Sequence, residues 1–260
     1  MTSTATTPPT TDAPEGGGKF LISVILDRTG SMAACRDATV TGFNEFLHQQ
    51  QADPNGEAWL SLTLFDKPLD QNDIEQRFSA QPIAEIPDLG TSGNPYEPRG
   101  MTPLYDAIGA TIRATEAIDG QYDRVLFVIQ TDGEENASSE WSRQQIFDLI
   151  TKKRADGWAF AFFGADQNAY TASAQIGVAA GSTMSYTSAD SAPAFAAVSA
   201  STTSYRASMG ATSDSFFGGS TPQDLRQPQP TGQTPSQTTG KTPDWRSKAK
   251  RPDKVGNWRK

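Results

Sequence analysis

Cysteine and histidine are almost absent from this 260-residue sequence, which contains one of each, Cys35 and His48. A single cysteine cannot form an intrachain disulfide. Cys35 lies near the start of a predicted helix, where a thiolate would be favoured, but a small buried residue is the preferred interpretation. Any Ser-His-Asp catalysis would have to use His48, whose place beside three glutamines favours exposure to solvent. These shortages leave oxygen-bearing side chains as the candidates for chemistry.

Long apolar runs are also missing, since no segment approaches the roughly 18 residues that cross a bilayer. The first residues, Met-Thr-Ser-Thr-Ala-Thr-Thr-Pro-Pro, lack the basic and apolar regions of a signal peptide. We therefore predict a cytoplasmic protein without membrane contact.

Aliphatic residues are scarce at both ends of the chain. Residues 1–18 are mainly Thr, Pro, Ala and Gly, and residues 219–260 are rich in Pro, Gln, Thr and basic side chains. Such segments cannot bury enough apolar surface to offset the entropy of ordering, so we predict that both are disordered. The remaining residues, 19–218, suit one domain.

Charge is unevenly distributed. Residues 221–260 contain nine basic and three acidic residues, whereas residues 1–220 contain thirteen basic and twenty-seven acidic residues. An acidic body argues against nucleic-acid binding, which requires Lys and Arg to replace phosphate counterions. The basic tail is expected to contact an acidic partner or the acidic body.

Three apolar runs predict strands that are buried on both faces, as in a parallel sheet covered by helices. They are residues 20–26, 125–129 and 158–163. Residues 59–65 alternate apolar and polar side chains and are predicted to pair with residues 74–78 as a hairpin.

Helical periodicity fills the intervals between these strands. It predicts helices over about 32–51, 103–118, 139–154, 166–176 and 195–209. Thr102 is a candidate N-cap with Pro103 at the first helical position, and Ser138 or Ser139 is a candidate cap for the third helix. The alternation predicts a doubly wound α/β fold, with a mostly parallel sheet and helices on both faces.

Polar side chains follow two of the predicted buried strands, and a third group precedes a helix. Asp27, Thr29 and Ser31 come directly after the first strand, Thr102 precedes the helix that begins near residue 103, and Asp132 follows residues 125–129. Open parallel sheets form their sites at the carboxyl ends of the strands. Two carboxylates and three hydroxyls are therefore expected to meet there.

This set of hard oxygen donors selects Mg²⁺, with Mn²⁺ or Ca²⁺ as alternatives, over zinc or copper. Mg²⁺ prefers an octahedron with ligands at about 2.1 Å and keeps several waters. Five protein oxygens, some acting through water, would leave one position for another ligand. The motif by itself leaves open that the same side chains cap helices without any ion.

The pattern Asp27-x-Thr29-x-Ser31, then Thr102, then Asp132 resembles the metal-ion-dependent adhesion site of von Willebrand factor A domains. The flanking stretches Thr-Pro-Leu-Tyr-Asp-Ala from residue 102 and Thr-Asp-Gly-Glu-Glu-Asn from residue 131 also resemble that family. The resemblance covers about residues 19–210. Thr29 stands where the family more often has Ser, and the change keeps the hydroxyl.

The resemblance implies that the five residues hold a divalent metal, which then binds an acidic residue of a protein partner. It also implies a protein that is not an enzyme, similar to standalone members in bacteria and phages. Glu134 and Glu135, next to Asp132, are expected to repel an acidic partner when the metal is absent.

Two other functions compete with this interpretation. Asp27-Arg-Thr-Gly-Ser also resembles the motif of haloacid-dehalogenase-like phosphohydrolases, in which the Asp is the nucleophile. Against it, the acidic pair expected later in the chain is matched only loosely by residues 132–136, and no positioned Lys stands out. The second alternative is a scaffold protein in which the metal only stabilises the fold.

Overall fold

The structure is a computed structural model in which residues 18–67, 73–165, 169–187, 191–208 and 213–218 are described. The strands are β1 (Lys19–Asp27), β2 (Glu57–Asp66), β3 (Asp73–Pro82), β4 (Arg124–Thr131), β5 (Ala159–Ala165) and β6 (Thr183–Tyr186). The helices are α1 (Arg36–Ala52), α2 (Leu104–Glu116), α3 (Arg143–Ala155), α4 (Ala169–Gln175) and α5 (Ser191–Ala207). The predicted disorder of both ends falls on residues 1–17 and 219–260, outside the described residues, and stays a prediction.

The six strands form one sheet in the order β3-β2-β1-β4-β5-β6. All neighbouring strands are parallel except β2 and β3, which are antiparallel. The doubly wound α/β fold with a mostly parallel sheet is therefore confirmed, as is the hairpin. Chain direction across the sheet reverses between β1 and β4, which is where open α/β sheets form their binding crevices.

Helices cover both faces of the sheet because the central strands are apolar on both sides. Val24 and Leu26 of β1 face a core shared with α1 and α5, whereas Leu21 and Ile25 face a core shared with α2 and α3. Alternate residues of a strand point to opposite faces, so a near-continuous apolar run serves both layers. None of the helices in the described part of the chain is long and apolar enough to cross a bilayer.

Several helix boundaries differ from the sequence predictions. α2 begins at Leu104, and Thr102 is not its N-cap. α3 begins at Arg143 with a capping box formed by Ser142 and Gln145, and not at Ser138 or Ser139. β6 was not predicted, because four residues of mixed polarity carry too little periodicity to indicate a strand.

The prediction for the two rare residues is confirmed. Cys35 is buried beneath the start of α1. His48 is exposed, and its imidazole lies 2.7 Å from a carboxylate oxygen of Asp88. Cys35 contacts the Met32 carbonyl and His48 contacts Asp88, so these contacts of both side chains are with the scaffold.

Helices α1 and α5 pack closely because Gly42 has no side chain. A methyl group at Gly42 would lie 2.3 Å from Phe195 Cδ2, and the Phe195 ring is buried against Phe163. We expect Gly42→Ala to lower the free energy of unfolding by up to about 2 kcal/mol. Overpacking costs about 1–3 kcal/mol, which outweighs the gain of at most about 1 kcal/mol in helix propensity.

Chemical denaturation measures this change, and Gly120→Ala is the matched control because no atom lies within 4 Å of its added methyl group. The double variant Gly42→Ala/Phe195→Leu should recover part of the loss. A Gly42→Ala protein as stable as the wild type would contradict close packing at this position.

Candidate metal centre

Asp27 ends β1, and the neighbouring end of β4 holds its carboxylate in place. Thr131 Oγ1 donates a hydrogen bond to Asp27 Oδ2 at 2.6 Å, and the Thr29 amide donates to Oδ1 at 2.7 Å. The parallel pairing of Leu26 with Gln130 brings these two strand ends together. Both carboxylate oxygens are therefore oriented by the fold.

Hydroxyl groups connect Asp27's loop to Asp132. Ser31 Oγ donates to Asp132 Oδ1 at 2.7 Å, and Thr29 Oγ1 lies 3.2 Å from Ser31 Oγ. Because Asp132 directly follows β4, this contact joins the carboxyl ends of two adjacent strands. Four of the five predicted residues therefore form one cluster.

Thr102 reaches the cluster because its loop pairs with the loop after β1. The Gly30 amide donates to the Gly100 carbonyl at 3.1 Å, and the Arg99 amide donates to the Arg28 carbonyl at 2.8 Å. A methyl group built on Gly133 would lie 3.1 Å from Thr102 Oγ1 and 3.6 Å from Ser31 Oγ. Both hydroxyls therefore border the same small space, and the structure brings all five predicted residues together.

The Thr102 hydroxyl has no structural task among the described residues. Its amide donates to Asn136 Oδ1 at 2.9 Å and its carbonyl accepts from the Asn136 amide at 3.1 Å, so the backbone alone anchors the residue. No described residue forms a hydrogen bond with Thr102 Oγ1. This hydroxyl is therefore available to an external ligand.

The electrostatics of the cluster favour a bound cation. Asp27 is fully buried, and loss of solvent raises its pKa from 3.8 to about 7, with a further increase from the nearby Asp132 carboxylate. Hydrogen bonds from Thr131 and Thr29 oppose this rise. The adjacent Arg28 does not offset the charge, because its guanidinium binds Asp66 and Glu75 instead.

The donor set fits a hard divalent cation. Two carboxylates and three hydroxyls are the ligands that Mg²⁺, Mn²⁺ or Ca²⁺ take in proteins. Among the described residues, no three His, Cys, Asp or Glu side chains group together as ligands for a metal ion, so the candidate centre depends on its hydroxyls as well as on its two carboxylates. Helix capping by these five residues does not account for the set, since neither α1 nor α2 has a side-chain cap hydrogen bond at its N-cap residue.

The loop after β4 is held by Glu135 and Ser138, for which the sequence predicted other roles. Glu135 accepts hydrogen bonds from the Tyr105 amide at 3.0 Å and the Ala137 amide at 2.9 Å, and from the Ser138 amide and hydroxyl, both at 2.7 Å. Ser138 Oγ accepts from the Asp106 amide at 3.1 Å. The first turn of α2 is thus capped by residues about 30 positions later.

Thr131 and Tyr96 are further supporting residues that sequence reasoning missed. Thr131 holds Asp27 Oδ2, and the Tyr96 hydroxyl donates to the Asp27 carbonyl at 2.5 Å. A threonine at the end of an apolar strand is a usable signal, since a buried hydroxyl requires a partner. Tyr96 gave no such signal, because its loop has no periodic pattern.

The geometry does not favour Asp27 as a phosphohydrolase nucleophile. Its carboxylate is fully buried, and each oxygen already accepts a hydrogen bond from the protein. A nucleophile must approach its target atom closely and in line. The prediction that the protein is not an enzyme remains a prediction.

Comparisons with known proteins find similarity of fold and not of sequence. A scan against protein-family models gives no match, and a search of curated proteins also gives none. Among solved structures, the D319A mutant of the PilB minor pilin from Streptococcus sanguinis is 12% identical with a TM-score of 0.53. The match covers 77% of this chain and 65% of that chain.

Two other similar structures have lower TM-scores. The SpRpn10 VWA domain is 11% identical, with a TM-score of 0.44, over 75% of this chain and 100% of that chain. Proximal thread matrix protein 1 from the mussel byssus is 14% identical, with a TM-score of 0.47, over 71% of this chain and 48% of that chain. This chain therefore spans about half the length of the mussel protein.

The sheet order and the helices on both faces give this chain a doubly wound, mostly parallel α/β fold, as the resemblance to von Willebrand factor A domains implies. The five motif residues lie at the carboxyl edge of that sheet, around the reversal between β1 and β4. At these identities, the solved structures bear on the fold alone.

Proposed function

We propose that this domain binds one Mg²⁺ ion through Asp27, Thr29, Ser31, Thr102 and Asp132, and through the ion grips an acidic residue of a protein partner. The observation that carries the proposal is the meeting of four oxygen-bearing side chains with the buried carboxylate of Asp27, whose pKa is raised to about 7. Mn²⁺ and Ca²⁺ share the required chemistry.

The charges of the cluster explain why the partner would contribute a carboxylate. Asp27 and Asp132 balance the two positive charges of the ion, and the three hydroxyls add none. The ion therefore stays electrophilic, and a carboxylate that replaces a bound water forms a charge-assisted contact in a partly desolvated site. Without the ion, Asp27 and Asp132 repel the same group, so binding should be steeply metal-dependent.

Thr102→Val should weaken Mg²⁺ binding by at least about tenfold, or about 1.4 kcal/mol, without changing the thermal midpoint of the metal-free protein. The substitution keeps the shape of the side chain and removes only a hydroxyl that no described residue engages. Titration calorimetry measures the affinity, and Thr41→Val, an exposed change on α1, is the matched control. Equal Mg²⁺ affinity in the two variants would remove Thr102 from the site.

The proposed interaction is tested by partner capture with the full chain in Mg²⁺ and in EDTA. Wild type and Thr41→Val should retain the partner only in Mg²⁺, whereas Thr102→Val should lose it. An alanine scan of the partner's Asp and Glu residues should then identify a single carboxylate that abolishes binding. Capture that is equal in EDTA would overturn the proposal.

The same protein in EDTA also distinguishes the proposed interaction from the scaffold alternative, in which the metal only stabilises the fold. Loss of Mg²⁺ would unfold a domain in which the metal is purely structural, so circular dichroism in EDTA would show a loss of helix and sheet at working temperature. A folded domain that has lost its partner supports the adhesion-type function. An unfolded domain supports the structural role.

A further inference from the structure

A cleft of about 230 Å³ opens next to the metal cluster, between the start of α2, the loop after β4 and helix α4. Leu104 and Ile176 give it an apolar part, and Tyr105, Glu134, Glu135 and Gln175 give it a polar part. We call it the α2–α4 cleft. None of the functions assigned so far uses it.

The α2–α4 cleft and the metal cluster share Gly133. This residue lines the cleft, and a methyl group on it would lie 3.1 Å from Thr102 Oγ1. An extended peptide advances at most about 3.3–3.6 Å per residue. A partner segment with its acid on the ion would therefore place a side chain one or two positions away at the mouth of the cleft.

The two glutamates of the α2–α4 cleft have different tasks. Glu135 is committed to the loop by its four hydrogen bonds with Tyr105, Ala137 and Ser138. Glu134 is exposed, and in the described part of the chain no hydrogen bond or ion pair engages its carboxylate. The described lining includes two carboxylates and no Lys or Arg, while Arg143, outside the lining, acts electrostatically on Tyr105. The exposed negative charge of the cleft is therefore that of Glu134.

We infer that the α2–α4 cleft receives a Lys or Arg side chain from the same partner segment that presents its acidic residue to the ion. The inference rests on the proposed function and specifies its partner further. The recognised element is an acidic residue with a basic residue one or two positions away. A partner with a second acid at that position is repelled by Glu134 and Glu135.

The lining suits both parts of a basic side chain. The aliphatic stem of Lys or Arg packs on apolar surface while its charged end stays near polar groups, and here Leu104 and Ile176 supply that surface. The Tyr105 ring provides a face for a cation, and Glu134 provides the charge partner. The metal and the α2–α4 cleft thus bind side chains of opposite charge on neighbouring residues of the partner.

The test is a display library of random seven-residue peptides, selected on the full-length protein in Mg²⁺ and counter-selected in EDTA. Enrichment of Asp or Glu with Lys or Arg one or two positions away supports the inference. Enrichment of the acid without a basic neighbour leaves the proposed function standing and overturns the inference. Failure to enrich any acid in a Mg²⁺-dependent manner counts against the proposed function itself.

Variants then locate the basic residue. A synthetic peptide with the enriched pattern should lose about fivefold in affinity for wild type when its basic residue is replaced by Met. Glu134→Gln should reduce that difference to less than about twofold, whereas Glu140→Gln, a matched change at an exposed position of the same loop that does not line the cleft, should preserve it. An undiminished difference in Glu134→Gln would overturn the assignment to the cleft.

Discussion

Asp27→Asn is expected to abolish Mg²⁺ binding and, at pH 8, to raise the free energy of unfolding of the metal-free protein by about 2–4 kcal/mol. The loss of Mg²⁺ binding and the gain in stability have the same cause, which is the removal of the buried negative charge. Asp27 is a buried carboxylate that the fold desolvates while the neighbouring Arg28 guanidinium pairs with Asp66 and Glu75, and its pKa is raised to about 7. The ion that the site is proposed to bind would supply the missing charge.

The pH dependence of the metal-free wild type follows from this pKa. A folded-state pKa of about 7 against 3.8 in the unfolded chain means that the folded protein holds the proton more tightly. The contribution of Asp27 to stability is fully present below about pH 3.8 and is lost as the pH rises through 7. Each tenfold change in the acid constant is worth about 1.4 kcal/mol, so the ionised carboxylate destabilises the fold by about 4 kcal/mol at pH 8.

Asparagine fits the same position without the charge. Its side-chain oxygen can accept from the Thr29 amide, and its side-chain nitrogen can donate to Thr131 Oγ1. The Thr131 hydroxyl can then donate to the Gly133 carbonyl, which lies 3.1 Å away. The hydrogen bonds with Thr29 and Thr131 are therefore kept, and one hydrogen of the new amide has no assigned acceptor. The stability of Asp27→Asn should be nearly independent of pH between 4 and 8 at this position.

Urea denaturation in EDTA at several pH values, with calorimetric Mg²⁺ titration at pH 8, measures both effects. Asp37→Asn is the matched control, because that carboxylate is 94% exposed and should change neither quantity by much. Wild-type Mg²⁺ affinity in Asp27→Asn would remove Asp27 from the site. An unchanged pH profile would show that another group is responsible for it.

Arg206→Met is expected to lower the free energy of unfolding by about 3–5 kcal/mol. The Arg206 guanidinium is buried at the end of α5 and donates to the backbone carbonyls of Gln50, Asp53, Asn55 and Gly56 at 2.8–3.3 Å. Burial lowers its pKa, and the Asp53 carboxylate, 3.5 Å away, opposes that change. The side chain thus ties α5 to the connection between α1 and β2.

Methionine has a similar length and can fill the space, but it cannot donate hydrogen bonds. Four carbonyl oxygens would lose their donor and the Asp53 carboxylate would lose its ion-pair partner, and removal of one partner from a buried charged pair costs about 3–5 kcal/mol. Arg113→Met is the control, since Arg113 is 61% exposed and pairs with Glu116 on the same helix. That change should cost less than about 1 kcal/mol.

Chemical denaturation of the two variants measures the difference directly. Mg²⁺ affinity is the second readout, because Arg206 lies at the opposite end of β1 from Asp27 and forms no contact with the cluster. An Arg206→Met variant as stable as Arg113→Met would show that the carbonyl contacts contribute little.

The five oxygen-bearing residues could be chosen from the sequence because each has a local signature. Asp27 and Asp132 follow apolar strands, Thr29 and Ser31 repeat at two-residue steps after the first of them, and Thr102 precedes Pro103 and a helical pattern. Parallel strands end at one edge of a sheet, so side chains that follow them meet there whatever the details of packing. The fold class follows from the same alternation of apolar runs and helical periods.

Other features depend on contacts between distant parts of the chain, which no local pattern records. Thr102 is a residue type that often caps helices, but Glu135 and Ser138 cap α2 instead. They do so because the loop after β4 folds back over the start of that helix. The raised pKa of Asp27 depends on burial by several elements, and Arg206 meets residues about 150 positions earlier. Periodicity and motif spacing thus determined which residues face the site. Tertiary packing alone decided the desolvation of Asp27, the long-range hydrogen bonds and the shape of the α2–α4 cleft. Each of these is a property of surfaces that only folding brings together.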